Sequence, residues 1–379
     1  MEELTPEQVQ HIRTRKKADV ETSGDRKEEF ISGSVRVDYE SLGRFDTPES
    51  LSFKDYSTMD INAIVMASQD DLVETLVPIL NGMICGEHAG KFDCANMTIE
   101  EFVETLIAIK GKYVSIQHKH PYMCECQYEL PEADQKMQDG IINLSELKFK
   151  SIDQVEEEIK KIMKEDLDLC TEEEWNAYKL NYAVKNNIPD EQVTKEYVIE
   201  NLKIKEPFII NSDGHEIALR LMRISDVIKA QTMINKEYNS KIKMIQNRVE
   251  HGVPAEKLKE KKQKELDDIQ KEKAKKVLLY IKAFSVVSID GKILDDRQKI
   301  EAMMDRDLFP RHITQDIDSL LDQLKHGVYD TKEFTCPICG KVNKEDLQHN
   351  FSVTELLPLN SKDQRDGRFS TRLNIRFGA

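Results

Sequence analysis

Cys336 and Cys339 stand two residues apart near the C-terminal end, with Pro337 between them and Gly340 directly after. This run is a zinc-knuckle pattern. A tight turn aims two thiolates at one point, and the glycine lets the backbone fold back beneath the metal. A knuckle supplies two ligands, whereas a closed structural zinc site takes four. Any fold for this chain has to say where the other two come from.

The other place where two cysteines nearly touch is the stretch from His118 through His120 to Cys124 and Cys126. The leading reading joins Cys124, Cys126, Cys336 and Cys339 around one structural Zn2+, clasping segments about 210 residues apart. Cys124 and Cys126 are one residue closer than in an ordinary knuckle, so His118, His120 and His349 stand as alternatives to one of the sulfurs. The plain alternative is a turn with two unmetallated thiols. Cys85, His88 and Cys94 suggest a second site less strongly, since packed or loop cysteines are the commoner outcome.

The 379 residues suffice for two or three domains and a sizeable core. A net charge of -15 argues against generic nucleic-acid binding, which needs a basic footprint, and against docking on an anionic membrane. No apolar run approaches the roughly 20 residues of a spanning helix. The first residues lack the positive and apolar regions of a signal peptide. With seven cysteines, an odd number, these features lead us to expect reduced thiols and synthesis in a cytoplasm.

Taken in order, residues 1–29 are dense in charge and read as an N-terminal arm that orders on a partner, with a cap for a short helix at Thr5 and Gln8. Residues 30–150 read as an α+β domain. It has extended runs over 30–39 and 51–56, then apolar residues at helical spacing from Ile61 to Leu80, which Pro78 should kink or restart. Thr98 and Glu101 form a capping box for a helix with Phe102, Leu106 and Ile109 on one face. Strands over 112–117 and 140–147 flank the first cysteine pair and make half of a zinc ribbon.

Residues 151–206 form an acidic helical insert, with 15 Asp/Glu against 8 Lys/Arg, capped at Ser151 and Thr171. Its apolar stripes, Ile152/Val155/Ile159/Met163 and Trp175/Tyr178/Tyr182, should pack on the chain's own core, with a partner-docking face as the alternative. Residues 207–282 read as a β-hairpin turning at Gly214, then two long helices separated by Gly252 and Pro254, a helical hairpin projecting from the body. The mixed charges over 256–276 read as a solvated face. Residues 283–379 begin with a hairpin turning at Asp290 and Gly291. Helices, the knuckle and a polar tail follow, ending in an extended piece, Leu373 to Phe377, suited to tying into a neighbouring subunit. The fold class expected is α+β: mainly helical, with short antiparallel hairpins, a zinc-ribbon-like centre and a projecting helical hairpin.

Catalytic patterns are missing. There is no His-Glu-x-x-His and no Gly-x-Ser-x-Gly, and the run from Gly86 to Lys91 is too short for a phosphate loop and lacks the following Ser/Thr. A zinc deaminase needs Pro directly before its first knuckle cysteine, where this chain has Thr335. An all-thiolate zinc leaves no open position for water. We therefore expect no enzyme and no catalytic residues.

Five segments in sequence carry a resemblance: a helical block from Asp60 to Val65, the capped helix from Thr98 to Lys110, Cys124/Cys126, the return from Ile141 to Leu147, and Cys336 to Gly340. Their order resembles the baseplate hub proteins of T-even-type contractile-tailed bacteriophages, the phage base plate protein family. The resemblance covers mostly residues 30–150, with a weaker echo at 207–223 and 283–345. It implies a structural component of the virion tail baseplate, assembled in the host bacterial cytoplasm. It also implies binding to other hub and tape-measure proteins, with no nucleic acid and no membrane, and self-association within the baseplate remains open. The short Cys124/Cys126 spacing, the insert at 151–206 and the hairpin at 225–280 depart from the family pattern. They leave a tail-assembly chaperone absent from the mature virion as one rival. A cytosolic zinc-ribbon adaptor or regulator is the other; it would favour a basic, aromatic-studded ribbon face, which the mixed charges of Lys341, Lys344, Glu345 and Asp346 do not provide.

Overall fold

Five helices begin at caps that the sequence spells out. The side chains of Ser57, Thr98, Ser151, Thr171 and Asp295 each accept the backbone N–H three residues on, and the residue there reaches back to the cap's own N–H. Each exchange satisfies two backbone donors that a helix start otherwise leaves open.

A computed structural model describes residues 33–67, 71–128, 130, 135–212, 214–248, 255–305, 311–347 and 356–357. The N-terminal arm, His349 and the C-terminal tail lie outside these residues. The described residues from Val35 on form one compact unit of mixed helix and short antiparallel strands. Strand β1 (Val35–Asp38) pairs with β2 (Ser50–Phe53), and β2 with β3 (Ile84–Cys85). Between them run α1 (Thr58–Met66) and α2 (Leu72–Met83). The break expected at Pro78 falls earlier: α1 ends at Met66 with Ala67 extended, and α2 starts at Leu72. Pro78 sits inside α2, where burial of Leu72, Val73, Leu76, Val77, Leu80 and Met83 offsets the lost backbone hydrogen bond.

Helix α3 (Ile99–Ile109) lays Phe102, Leu106 and Ile109 into the core as expected. The strand expected over 112–117 is not there. The helix instead runs on into a wider π turn, Lys110–Val114; the backbone turns extended at Ser115, and paired strand begins with β4 (Gln117–Tyr122). The buried Lys110 ammonium lies 3.0 Å from His118 Nδ1, and Ser115 N–H donates to the Lys110 carbonyl, so the helix end is held from both sides. β4 pairs with β5 (Gln138–Asn143).

Beyond β6 (Phe149–Lys150) come the insert helices α4 (Ile152–Leu169), α5 (Glu172–Asn186) and α6 (Lys195–Glu200). Ile152 and Val155 join the main core. Trp175, Tyr182 and Met163 instead pack on Ala183, Val193 and Val198 in a small core of their own. The expected hairpins β7 (Phe208–Ser212) with β8 (His215–Leu219) and β9 (Val286–Ile289) with β10 (Lys292–Ile293) both form. They also merge through β8–β9 pairing into one four-stranded sheet.

Between the hairpins, α7 (Ile224–Asn247) and α8 (Ala255–Ser285) run antiparallel. Tyr238 donates to Glu272 at 2.6 Å, and Lys276–Glu237 and Arg248–Glu265 pair at 2.6 and 2.8 Å. The stop and start at Gly252 and Pro254 lie outside the described residues. Val227, Ala230, Ile234, Val277, Ile281 and Phe284 anchor the pair in the main core, which reaches from Val37 to Leu357. Helices α9 (Asp296–Met304) and α10 (Arg311–Gln323) follow, then β11 (Gly327–Val328) against β6 and the closing hairpin β12 (Thr331–Thr335) with β13 (Val342–Asp346).

The inner face of α3 also buries two carboxyls. Glu101 accepts from Thr47 Oγ1 at 2.6 Å and from Thr98 N–H at 2.8 Å. Glu104 accepts the Glu40 N–H at 3.2 Å and lies against Gly327, where a Cβ would stand 2.7 Å from its Oε1. Burial pushes the Glu104 carboxyl well above its usual range, outweighing the Glu40 N–H, and the nearby carboxyls of Glu101, Glu40 and Glu100 push the same way. A carboxyl raised in the folded state stabilises the fold below its unfolded pKa of about 4.3 and loses that contribution as pH climbs through the folded value. Glu104→Gln should therefore flatten the loss of thermal stability as pH rises above about 4.3, measured by calorimetry. An unchanged pH slope would contradict this role.

Candidate metal centre

Two antiparallel hairpins build the site. In the first, β4 ends at Tyr122, and Cys124 and Cys126 follow at the start of a helical turn, Glu125–Tyr128. The Gln127 N–H donates to the Cys124 carbonyl at 2.9 Å, closing that turn and curling the short Cys-x-Cys pair toward one point. In the second, Cys336 and Cys339 occupy the turn between β12 and β13. The Gly340 N–H donates to the Cys336 carbonyl at 2.9 Å, and the Cys336 N–H to the Lys341 carbonyl at 2.8 Å. Gly340 takes φ +73°, the left-handed conformation that a knuckle turn asks of this position.

The structure brings together all four cysteines named from the sequence. Their sulfurs lie within 4.8 Å of one another. Cys124 Sγ is 3.6 Å from Cys339 Sγ, and Cys126 Sγ is 3.8 Å from Cys336 Sγ. Four thiolates at about 2.3 Å from a tetrahedral zinc stand roughly 3.8 Å from each other. The chain thus presents a donor set of the right chemistry at the right spacing for one metal ion. Cys339 is exposed, while Cys124 and Cys336 are buried.

Local dipoles treat the sulfurs unequally. The Cys339 N–H, and after burial the Ile338 N–H, act on Cys336, and the backbone donors bring its thiol down to about 7. The Gln127 side chain favours the Cys126 thiolate, but burial and the sulfurs of Cys124, Cys339 and Cys336 outweigh it and push that thiol up to about 12. Burial raises Tyr122, as does the negative charge of the neighbouring cysteines. A cation among four thiolates removes this mutual repulsion, which is why metal binding and deprotonation go together.

An aromatic stack holds the hairpins at this distance. The Phe334 ring lies 5.1 Å from that of Tyr122 and 6.0 Å from that of His120, centroid to centroid. Tyr122 Oη donates to the Thr335 carbonyl at 3.3 Å, and Lys341 pairs with Glu125 at 3.6 Å. Phe334 presses on bare backbone at Gly140, where a Cβ would meet ring atoms at 2.4 to 2.8 Å. Sequence reading missed this contact. Its signal was a glycine in the middle of a strand, which often marks the close approach of another group.

His118 and His120 sit on β4, outside the sulfur cluster, and His349 lies outside the described residues. Burial, with the Lys110 charge behind it, drives His118 down to about 3, so its ring is neutral and Nδ1 faces the lysine. Among the described residues, Cys85, His88 and Cys94 form no second cluster. Cys85 donates to the Ser52 carbonyl, Cys170 to the Asp166 carbonyl, and burial pushes Cys94 up to about 12.

The chain matches no protein-family model, no curated protein and no solved structure.

Because Gly140 and Phe334 set the distance between hairpins, Gly140→Ala should cost about 1–3 kcal/mol by overpacking and weaken metal retention against a chelator. Adding Phe334→Leu should restore part of both. If Gly140→Ala melts and holds metal like the parent chain, the stack does not set the spacing.

Proposed function

We propose that this chain is a structural protein whose two hairpins are locked by one zinc ion, with Cys124, Cys126, Cys336 and Cys339 as ligands and no catalytic role. The observation that carries the reading is the convergence of four sulfurs, from segments 210 and 215 residues apart, at the spacing of a tetrahedral metal. With sulfur at every position the ion holds structure and offers no place for a reacting water. The zinc-ribbon-like centre and the projection of the α7–α8 hairpin from the body belong to this proposal.

Within that class, we place the protein in the tail baseplate of a contractile-tailed phage, binding hub and tape-measure proteins. The support is the segment order described above, from Asp60 through the capped helix at Thr98 to the two cysteine pairs. The net charge of -15 and the absence, among the described residues, of any helix long and apolar enough to cross a membrane agree with protein partners.

Elemental mass spectrometry of the purified chain should find one zinc per chain. Cys124→Ser and Cys336→Ser should each lose most of it, along with several kcal/mol of stability. Zinc kept in Cys124→Ser but lost in Cys336→Ser would confine the site to the second hairpin and overturn the clasp. Proteomics of purified phage tails tests the location: the chain should be present alongside hub proteins. Presence only in infected-cell lysate would point to an assembly chaperone.

A further inference from the structure

We propose that the cysteine cluster is also an oxidation site, at which hydrogen peroxide replaces the metal clasp with a covalent one by joining Cys124 to Cys339 and Cys126 to Cys336. This rests on the clasp reading above, and the pairing proposed joins the two sulfur couples that approach across the hairpins. The approaches of 3.6 and 3.8 Å both run between hairpins. A disulfide of about 2.05 Å requires each pair to close by roughly 1.6–1.8 Å, a small movement once no metal holds the sulfurs apart. Cys336 is meanwhile held in its own turn, its carbonyl accepting from the Gly340 N–H and its N–H donating to the Lys341 carbonyl.

Exposure fixes the order. Cys339 is the exposed member of the cluster, so peroxide meets its sulfur first. The Cys339 thiolate attacks one peroxide oxygen and the O–O bond breaks. A sulfenic acid forms, and the departing hydroxide takes a proton to become water. The Cys124 thiolate then attacks that sulfur and the S–O bond breaks. A second hydroxide leaves as water, and the S–S bond closes. The two sulfurs give up two electrons and one peroxide accepts them. A second peroxide oxidises Cys126 and Cys336 in the same way, and Zn2+ departs with its charge unchanged.

Bonds within a hairpin would leave the two hairpins without a link. Bonds between hairpins keep the same two segments joined, across 215 and 210 positions. Oxidation then preserves the clasp. Such a device suits a protein built where thiols stay reduced and used where they do not.

The test treats the full zinc-loaded chain with graded hydrogen peroxide, following zinc release with a chromophoric chelator and mapping disulfides by non-reducing peptide mass spectrometry. Two equivalents should release one zinc and leave three thiols, Cys85, Cys94 and Cys170. The Cys124–Cys339 bond should appear before Cys126–Cys336. The oxidised chain should keep its melting temperature in excess chelator, whereas the reduced chain should lose it. Cys339→Ser should yield Cys126–Cys336 alone. A Cys336–Cys339 or Cys124–Cys126 bond, sulfinic acid at Cys339, or an oxidised chain that melts in chelator as low as the reduced one would overturn the proposal. If the purified chain carries no zinc, the metal reading fails by itself, and the same map on the metal-free chain still decides the pairing.

Discussion

Four sulfurs from segments 210 and 215 residues apart meet within one ion's reach, and the fold around them is arranged so that they do. Neither hairpin is a stable object alone, since an isolated two-stranded ribbon is marginal in water. β4–β5 and β12–β13 are both two-stranded, and both end in the turns that carry the cysteines. They support each other through Phe334 against Gly140 and Tyr122, and a metal among the thiolates adds a bond that neither hairpin can form by itself. Structural zinc contributes about 10–16 kcal/mol of apparent binding free energy in small zinc-finger peptides. A share of that would exceed the net stability of either ribbon.

Closing a chain over such a distance carries an entropic cost that grows slowly with length, so the number of intervening residues matters less than how well they are tied down on the way. Polar anchors do much of that tying. Arg223, buried at the start of α7, reaches Glu206 at 2.7 Å, while Arg220 grips Asp226 through two bonds of 2.8 Å. The same turn binds the N-terminal region, with the Ile224 N–H donating to the Met97 carbonyl at 3.0 Å. At the other end, β11 pairs with β6 and places Gly327 over Glu104 of α3. These links carry the chain from the first hairpin, through the insert and the helical pair, back to the second.

What could be read from the sequence was what local chemistry decides. Capping boxes at Thr98, Ser151 and Thr171 marked helix starts, the glycines at 214 and 291 marked turns, and the knuckle spacing at Cys336 and Cys339 pointed to a second pair at Cys124 and Cys126. What escaped was decided by tertiary contact. Pro78 looked like a break because the burial that holds α2 together lies in other segments. Residues 112–114 have strand-like composition, yet the helix overruns them where Lys110 is held at His118. The merging of two hairpins into one sheet and the ring of Phe334 over Gly140 depend on partners more than 60 residues away, which no local pattern encodes.

X-ray absorption at the zinc edge on the purified chain tests the central claim most directly. The account predicts four sulfur neighbours at about 2.3 Å and no nitrogen or oxygen in the first shell. One or two scatterers at about 2.0–2.1 Å would show a histidine or water in place of a cysteine, and the clasp as drawn here would be wrong.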